Sequence, residues 1–455
     1  MAKKVHLITL GCSRNETDSA ELASILVQSD WQLTENPEEA EAIVVNTCGF
    51  IDSAKKDSID TILAAHDVKM QHGTKAVVAV GCMAERYGKD LADELEEADA
   101  VIGFDQYPQL GSILSSIVQG EKIQSHTPFD RRTLLSKTPT LRNPSNLFVP
   151  GHGSSDVVRV RLDSKPYSPL KIASGCDRRC TFCAIPRFRG AYVSRKPVDI
   201  IAEAAWLSSQ GVKELLLVSE NSTSYGKDLG EVRLLEILLA ALSEIEGIER
   251  IRISYLQPAE VRPGLFETII QTPKVTNYFD LSFQHASPSV LRSMRRFGDA
   301  ESFLGLISEI RSLDPVAAVR SNVIVGFPGE SESDVQTLLD FIAEAKMDTV
   351  GVFPYSNEEN TEAMQMEQQI PAEEIHHRFE RVSRLVEEIS QQRSEERVGE
   401  IVDVLFDTTS YEGRNQYQAP EIDGITRVNQ SHAAGSIVKA RVREAQGVDL
   451  IAEIL

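Results

Sequence analysis

The sequence predicts an α/β protein with three domains: a doubly wound parallel-sheet N-terminal domain, a β/α partial barrel and a small C-terminal OB-like β-barrel. Three observations support this prediction. Continuous apolar runs alternate with helical patterns over residues 1–118 and again over residues 168–395. The segment 119–167 between them is rich in proline, glycine and serine, as expected of a linker, and its basic residues Arg131, Arg132, Lys137 and Arg142 are expected to form a solvated face. Over residues 396–455, short alternating apolar runs are separated by Gly and Asn turns.

Composition narrows the possible partners. The chain has 455 residues and a formal net charge of −21. An acidic surface disfavours nucleic acid, whose phosphates attract basic residues, and favours a basic partner, although acidic excess also keeps proteins soluble. No run of about 18 apolar residues predicts a transmembrane helix. Because the first residues also lack the pattern of a signal peptide, we expect a cytoplasmic protein that does not bind membranes.

The N-terminal domain is predicted to contain five strands with helices between them. Four of these strands are continuous apolar runs, which is typical of strands buried on both faces of a parallel sheet. The expected strands are Val5–Leu10, Trp31–Thr34, Ala42–Asn46, Ala76–Val80 and Ala100–Gly103.

Three cysteines share one position in this pattern. Cys12, Cys48 and Cys82 each come just after the carboxyl end of an expected strand. The carboxyl ends of parallel strands meet at one edge of the sheet, which is where open α/β sheets bind ligands. A lone cysteine is more often a small buried apolar residue. Three at equivalent strand ends instead indicate a shared three-cysteine site.

The second series of strands and helices predicts the partial barrel. Barrel enzymes carry their chemistry on the loops that follow the strands, so these loops are the expected active site. The six expected strands are Leu170–Ala173, Glu214–Val218, Arg250–Ser254, Tyr278–Phe283, Ser321–Val325 and Thr349–Phe353.

Polar or glycine-containing loops follow several of these strands. They read SENSTSYG at 219–226, QHAS at 284–287 and IVGFPGE at 324–330. Their polar side chains can hydrogen-bond a ligand, and their glycines allow close approach of the backbone. The residues expected to contact a cofactor are Glu220, Ser222, Gln284 and Gly326.

A second cysteine triplet follows the first barrel strand. Cys176, Cys180 and Cys183 form a Cys-x3-Cys-x2-Cys pattern, one ligand short of a closed zinc site. An iron–sulfur cluster held by three cysteines has one iron without a protein ligand. S-adenosylmethionine can chelate that iron, and one-electron reduction then yields a 5′-deoxyadenosyl radical. Phe182, between the last two cysteines, is expected either to pack near the adenine or to fill the barrel core.

These segments resemble a known enzyme family. GCDRRCTFC resembles the cysteine motif of radical-SAM enzymes, and LGCSRNETDSAE, VNTCGFIDSAKKDSIDTIL and VGCMAERY resemble the N-terminal domain of methylthiotransferases. The end of the chain resembles their TRAM domain, so that the resemblance covers nearly everything except the linker.

The resemblance implies an enzyme with two 4Fe–4S clusters. Cys176, Cys180 and Cys183 would hold the radical-generating cluster, and the other three cysteines an auxiliary cluster that carries the sulfur to be transferred. In the family mechanism, one S-adenosylmethionine methylates this sulfur and another makes the radical. The radical removes hydrogen from a substrate carbon, which then captures the methylthio group.

Within the family, IVGFPGE, VGVFPYSNEENT and GRNQYQAPEIDG look most like the members that modify the β-carbon of an aspartate in ribosomal protein uS12. The implied partners are uS12, an electron donor such as flavodoxin or ferredoxin, and a sulfur donor.

Two alternatives stay open. A relative that modifies adenosine in tRNA should carry a basic terminal barrel, whereas residues 397–455 contain six Lys and Arg against nine Asp and Glu. A non-catalytic scaffold that binds zinc is disfavoured because both triplets lack a fourth ligand.

Overall fold

The computed structural model describes residues 3–135, 148–152 and 159–455. The middle of the predicted linker, residues 136–147 and 153–158, lies outside this part. Within the described residues, no helix is long and apolar enough to cross a membrane.

The N-terminal domain is a five-stranded parallel sheet with helices on both faces, which confirms the doubly wound prediction. Its strands are β1 (Lys3–Thr9), β2 (Trp31–Leu33), β3 (Ala42–Thr47), β4 (Ala76–Gly81) and β5 (Ala100–Val101). Its helices are α1 (Ser13–Gln28), α2 (Asp52–Gln71), α3 (Cys82–Glu94) and α4 (Leu110–Val118). The strand order is β2-β1-β3-β4-β5, so the winding reverses between β1 and β3.

Alternate residues of the central strands supply the two cores of this domain. Val44 and Val78 pack on one face of the sheet, while Ile43 and Val77 pack on the other. Every residue of β3 and β4 is buried, which explains their continuous apolar sequences.

The second domain contains a partial barrel of six parallel strands, as predicted, and a separate two-stranded hairpin. In chain order its strands are β6 (Tyr167–Lys171), β7 (Ala173–Ser174), β8 (Val193–Ser194), β9 (Glu214–Val218), β10 (Arg250–Ile253), β11 (Tyr278–Gln284), β12 (Ala318–Val325) and β13 (Thr349–Pro354). The barrel strands form two sheets, β10-β9-β6 and β11-β12-β13. Single bridges at Ile251–Val275 and Leu256–Leu281 connect the two sheets.

Eight helices accompany these strands in the described part of the domain. They are α5 (Ile185–Arg189), α6 (Pro197–Ser209), α7 (Leu234–Ser243), α8 (Leu265–Gln271), α9 (Pro288–Ser293), α10 (Ala300–Leu313), α11 (Glu332–Ala345) and α12 (Ala372–Glu396). The first barrel strand differs from its predicted bounds, because Ala173–Ser174 leave the barrel and pair antiparallel with β8. The loop with the second cysteine triplet therefore begins and ends at a small hairpin.

The C-terminal domain has the predicted five strands. They are β14 (Ile401–Leu405), β15 (Ser410–Gly413), β16 (Thr426–His432), β17 (Ile437–Gln446) and β18 (Asp449–Ile454), in the order β14-β17-β18-β16-β15. Leu405 and Arg414 exchange two backbone hydrogen bonds of 2.8 Å, which bring the two edges of the sheet together. Alternate apolar residues of the strands fill its core, as in a small barrel.

Part of the linker packs against the N-terminal domain, although its composition predicts a solvated face for its basic residues. That prediction is wrong for Arg131, which is buried and forms ion pairs with Glu85 and Asp105 at 3.1 and 3.0 Å. Arg131 also donates a hydrogen bond to the Phe148 carbonyl. Composition could not show this burial, because it depends on carboxylates 46 and 26 positions earlier in the chain.

The two outer domains contact opposite ends of the barrel strands. Asp18 of α1 pairs with Lys171, the last residue of β6, at the carboxyl end. Arg414 of the C-terminal domain pairs with Glu214, the first residue of β9, at the amino end. The N-terminal domain therefore faces the barrel loops that are expected to carry chemistry.

Candidate functional site

The first site consists of Cys12, Cys48 and Cys82, called the N-terminal triplet below. Cys12 precedes α1, Cys48 directly follows β3, and Cys82 is the first residue of α3 directly after β4. All three are partly exposed at the carboxyl edge of the sheet. Two of them follow β1 and β3, the strands between which the winding reverses, which is the usual binding position in such sheets.

Glycines let the three cysteine loops pack directly against one another. Gly11 has a φ of +91°, and a Cβ there would lie 3.0 Å from the Cys48 Sγ. Gly81 has a φ of +93°, and a Cβ there would lie 2.6 Å from the Thr47 carbonyl oxygen. Any larger residue at these two positions would push the loops apart and strain the backbone.

Two arginines contact thiols of the N-terminal triplet. The Arg14 Nε donates to the Cys12 Sγ at 3.5 Å, and the Arg189 Nη2 donates to the Cys82 Sγ at 3.0 Å. Burial opposes ionisation of Cys12, but Arg14 and Arg189 hold the pKa of its thiol below the ordinary value. At Cys82 burial prevails over Arg189 and raises the thiol pKa to about 12.

The second site consists of Cys176, Cys180 and Cys183, called the barrel triplet below. Its loop is held by a hydrogen bond from the Thr181 hydroxyl to the Ser293 carbonyl at 2.8 Å. Burial, reinforced by neighbouring cysteines, raises the pKa of Cys183 to about 12 and raises that of Cys176 well above its ordinary value. Thiols in such an environment bind as thiolates when a metal centre supplies positive charge.

Each triplet supplies three thiols, the donor type that zinc sites and iron–sulfur clusters share. Within the described ranges, no three His, Cys, Asp or Glu side chains are placed to hold one metal ion. A zinc site draws its thiolates in through Zn–S bonds of about 2.3 Å. A 4Fe–4S cluster is larger than one ion, so its cysteine ligands stand further apart.

Glu220 lies between the two triplets. Its side chain is only 4% exposed, and its Oε1 lies 4.0 Å from the Arg14 Nε. Burial and the neighbouring cysteines raise the pKa of Cys176, and the negative charge of Glu220 adds to this effect. Among the described residues its Oε2 has no hydrogen-bond partner although it is buried. This oxygen could accept a hydrogen bond from the amino group of a cofactor.

The other four predicted cofactor contacts have partners within the barrel or occupy its rim. Phe182 packs beside an apolar cluster that contains Met294 and Phe327. The Ser222 hydroxyl donates to the Ser254 carbonyl at 2.6 Å. Gln284, at the end of β11, has a φ of +73° beside a shift in strand register.

Gly326 permits a close contact inside the protein. Its N–H donates to the Glu330 carboxylate at 3.0 Å, and a Cβ at this position would lie 2.6 Å from Ile375 of α12. The close approach that the glycine permits in this structure is thus to a helix of the same domain.

Sequence reasoning missed the charged residues that connect the two domains or contact a cysteine of the barrel triplet. Asp18 forms ion pairs with Lys171 and, at 2.7 Å, with Arg189, and all three side chains are buried. Arg296 donates from its Nη1 to the Cys180 Sγ at 3.7 Å. One signal was available, since Lys171 ends an apolar strand and a buried lysine requires a partner.

Comparisons with known proteins cover the whole chain. Family models match the Uncharacterized protein family UPF0004 over residues 4–103, the Radical SAM superfamily over 170–342 and the TRAM domain over 398–455. The ribosomal protein uS12 methylthiotransferase RimO of Nocardioides sp. is 56% identical over 99% of this chain and 97% of that protein. The protein of the same name from Kineococcus radiotolerans is 54% identical over 100% and 98%.

A solved structure supports the fold. The radical S-adenosylmethionine methyltransferase TsrM from Kitasatospora setae, with cobalamin and a [4Fe-4S] cluster bound, matches with a TM-score of 0.54 and 12% identity. The match covers 78% of this chain and 75% of that chain. Because the relatives named above are more than half identical over nearly their full length, the chain belongs to the uS12 methylthiotransferase RimO family of the Radical SAM superfamily.

Proposed function

We propose that this chain is a radical S-adenosylmethionine methylthiotransferase that adds a methylthio group to the β-carbon of an aspartate in ribosomal protein uS12. The observation that carries the proposal is the pair of cysteine triplets, which belong to two domains that Arg14 and Arg189 hold in contact. The names of its full-length relatives support the substrate.

We assign the radical-generating 4Fe–4S cluster to the barrel triplet. When bound, this cluster supplies the electron that cleaves S-adenosylmethionine. The triplet follows the first barrel strand, where barrels place their chemistry. Glu220 offers a buried carboxylate oxygen without a partner in the described part of the chain, suited to an amino group of the cofactor. Phe182, Ser222, Gln284 and Gly326 remain candidate contacts on the same rim.

We assign an auxiliary 4Fe–4S cluster, which would hold the sulfur to be transferred, to the N-terminal triplet. Three thiols leave one iron free, and two of these thiols accept hydrogen bonds from arginines. The domain contacts hold this edge against the barrel loops: Arg86 and Lys55 pair with Glu358 at 2.7 and 3.1 Å. The proposed domains are residues 1–118, 168–395 and 396–455, joined by the linker 119–167.

The acidic character of the chain supports a basic protein substrate over tRNA. The formal net charge is −21, and the terminal domain is also net acidic. The remaining proposed partners are an electron donor such as flavodoxin or ferredoxin and a sulfur donor. An enzyme acting on a ribosomal protein would meet its substrate in the cytoplasm.

Mass spectrometry of uS12 from cells with and without the gene tests the proposal. In cells that carry the gene, we expect one aspartate of uS12 to show the mass gain of an added methylthio group. In cells that lack the gene, the same aspartate should be unmodified. Cells that carry only C176A/C180A/C183A serve as the control and should resemble the deletion. An unmodified uS12 together with a methylthio group on a tRNA adenosine would instead establish the tRNA alternative.

A further inference from the structure

Arg14 reaches from the N-terminal triplet into the barrel. It stands two residues after Cys12, and its side chain is 15% exposed. Its Nε donates to the Cys12 Sγ at 3.5 Å, and its Nη1 donates to the Ser219 carbonyl, just after β9, at 3.4 Å. The guanidinium also lies 4.8 Å from the centroid of the Tyr255 ring. One cation thus contacts a thiol of one domain and two loops of the other.

Arg189 makes the reverse connection. It stands six residues after Cys183, at the end of α5, and its side chain is 3% exposed. Its Nη2 donates to the Cys82 Sγ at 3.0 Å, and its Nη1 lies 2.7 Å from the Asp18 Oδ2. Each cysteine segment therefore supplies an arginine to the opposite domain.

The two arginines donate hydrogen bonds to thiols of only one of the two triplets. Both are made to the N-terminal triplet, whereas the barrel triplet has a longer contact of 3.7 Å from Arg296 to Cys180. Within the described ranges no arginine donates a hydrogen bond to Cys176 or Cys183. The two sites therefore differ in the positive charge placed directly on their sulfur atoms.

Charge and hydrogen bonds at sulfur ligands change the redox properties of a cluster. Both stabilise the reduced, more negative state, so they raise the reduction potential. We propose that Arg14 and Arg189 are positioning residues that raise the reduction potential of the cluster on the N-terminal triplet and keep that cluster in register with the barrel triplet. This inference rests on the proposed function, because it requires a cluster on Cys12, Cys48 and Cys82.

The same two residues couple the sites mechanically. A shift of the N-terminal domain would separate Arg14 from the Ser219 carbonyl, and it would separate Arg189 from the Cys82 thiol and from Asp18. Without the two arginines, radical formation at the barrel triplet would continue, but less sulfur would be transferred to the substrate.

The potential is measured on protein prepared without oxygen in the C176A/C180A/C183A background, where only the N-terminal cluster is present. A redox titration followed by electron paramagnetic resonance gives its midpoint. We expect R14Q to shift the midpoint to a more negative value. R14K retains the charge but loses the planar fork, so its shift should be smaller. R189K is the corresponding variant at the buried position, where a neutral residue would leave Asp18 with less compensation.

Coupling is measured in protein with all six cysteines, supplied with uS12 and S-adenosylmethionine. We expect R14Q to retain cleavage of S-adenosylmethionine, while the ratio of methylthiolated uS12 to 5′-deoxyadenosine falls about 10- to 100-fold.

Arg86 provides the matched control. Its Nη1 lies 2.7 Å from the Glu358 Oε2 across the same domain boundary, and its hydrogen bonds go to oxygen atoms. R86Q should leave the midpoint unchanged. An unchanged midpoint in both R14Q and R189K would overturn the inference, as would an equal shift in R86Q. Absence of any cluster from the C176A/C180A/C183A protein would instead overturn the two-cluster assignment itself.

Discussion

The two boundaries of the barrel domain hold buried carboxylates in different ways. At the carboxyl end of the strands, Asp18 is paired with Lys171 and Arg189. At the amino end, Glu214 is paired with Arg252 and Arg414, each at 2.9 Å. Both carboxylates are buried, and cations lower the pKa of each despite the opposing effect of burial.

The two boundaries differ in the groups that accept hydrogen bonds from the remaining N–H donors of the arginines. Arg414 directs them to Asp407 and the Gln418 carbonyl, so that boundary is a closed network of oxygen and nitrogen atoms. Arg189 directs one donor to the Cys82 thiol. The amino-end boundary thus serves to hold two domains together, while the carboxyl-end boundary also shapes a reactive site.

Substitution of the cysteines is expected to have the largest effects on activity, because both triplets lie at the carboxyl-end boundary. C176A/C180A/C183A should abolish 5′-deoxyadenosine formation and keep one cluster, whereas C12A/C48A/C82A should keep S-adenosylmethionine cleavage and lose methylthio transfer. Iron and sulfide analysis together with product analysis measures both. Product formation by C12A/C48A/C82A would refute the sulfur-carrying role of the N-terminal triplet.

Removing the carboxylate at the carboxyl-end boundary tests whether stability and chemistry are linked there. D18N leaves Lys171 and Arg189 buried with less compensation, which typically costs about 3–5 kcal/mol of the free energy of unfolding. We also expect an altered resonance spectrum of the N-terminal cluster, because Arg189 is no longer held beside Cys82. Denaturant unfolding and electron paramagnetic resonance measure the two effects.

D57N, on an exposed part of α2, is the control for D18N and should change neither property. A stability loss in D18N with an unaltered cluster spectrum would mean that both boundaries are purely structural.

The lowered pKa of Glu214 predicts that the contribution of the amino-end boundary to the free energy of unfolding depends on pH. Burial opposes its ionisation, but Arg414 and Arg252 lower its pKa from 4.5 to about 2. A depressed pKa in the folded state contributes stability above pH 4.5 that is lost as the pH falls towards 2. The full shift corresponds to roughly 3 kcal/mol.

The difference in unfolding free energy between the wild-type protein and E214Q should therefore shrink as the pH is lowered through this interval. Measurement by denaturant unfolding at several pH values checks the slope, and a constant difference would contradict the assignment. The cluster content of E214Q at neutral pH should equal that of the wild-type protein.

The smallest effect is expected from an exposed pair in the C-terminal domain. Arg443 and Glu453 lie 2.6 Å apart with side chains 56% and 52% exposed. Water and salt screen such pairs, so R443A should change the free energy of unfolding by less than about 1 kcal/mol. If R443A lowered the free energy of unfolding as much as D18N, burial would not explain why the ion pairs at the two boundaries contribute more than this exposed pair.

The sequence by itself determined the fold class and the location of both triplets. Strand periodicity and continuous apolar runs are local properties, so the doubly wound sheet, the partial barrel and the five terminal strands could be predicted from them. Cys12, Cys48 and Cys82 could be placed at one edge because all strands of a parallel sheet end there.

Only the tertiary structure decided which charged residues connect the domains. Arg189 and Cys82 are 107 positions apart, and Lys171 and Asp18 are 153 positions apart. Such pairs depend on which faces pack together, and no local window contains that information. The same reason explains why Arg131 is buried in a segment whose composition predicts exposure to solvent. The local sequence determined where the thiols stand, and long-range packing determined which cations reach them.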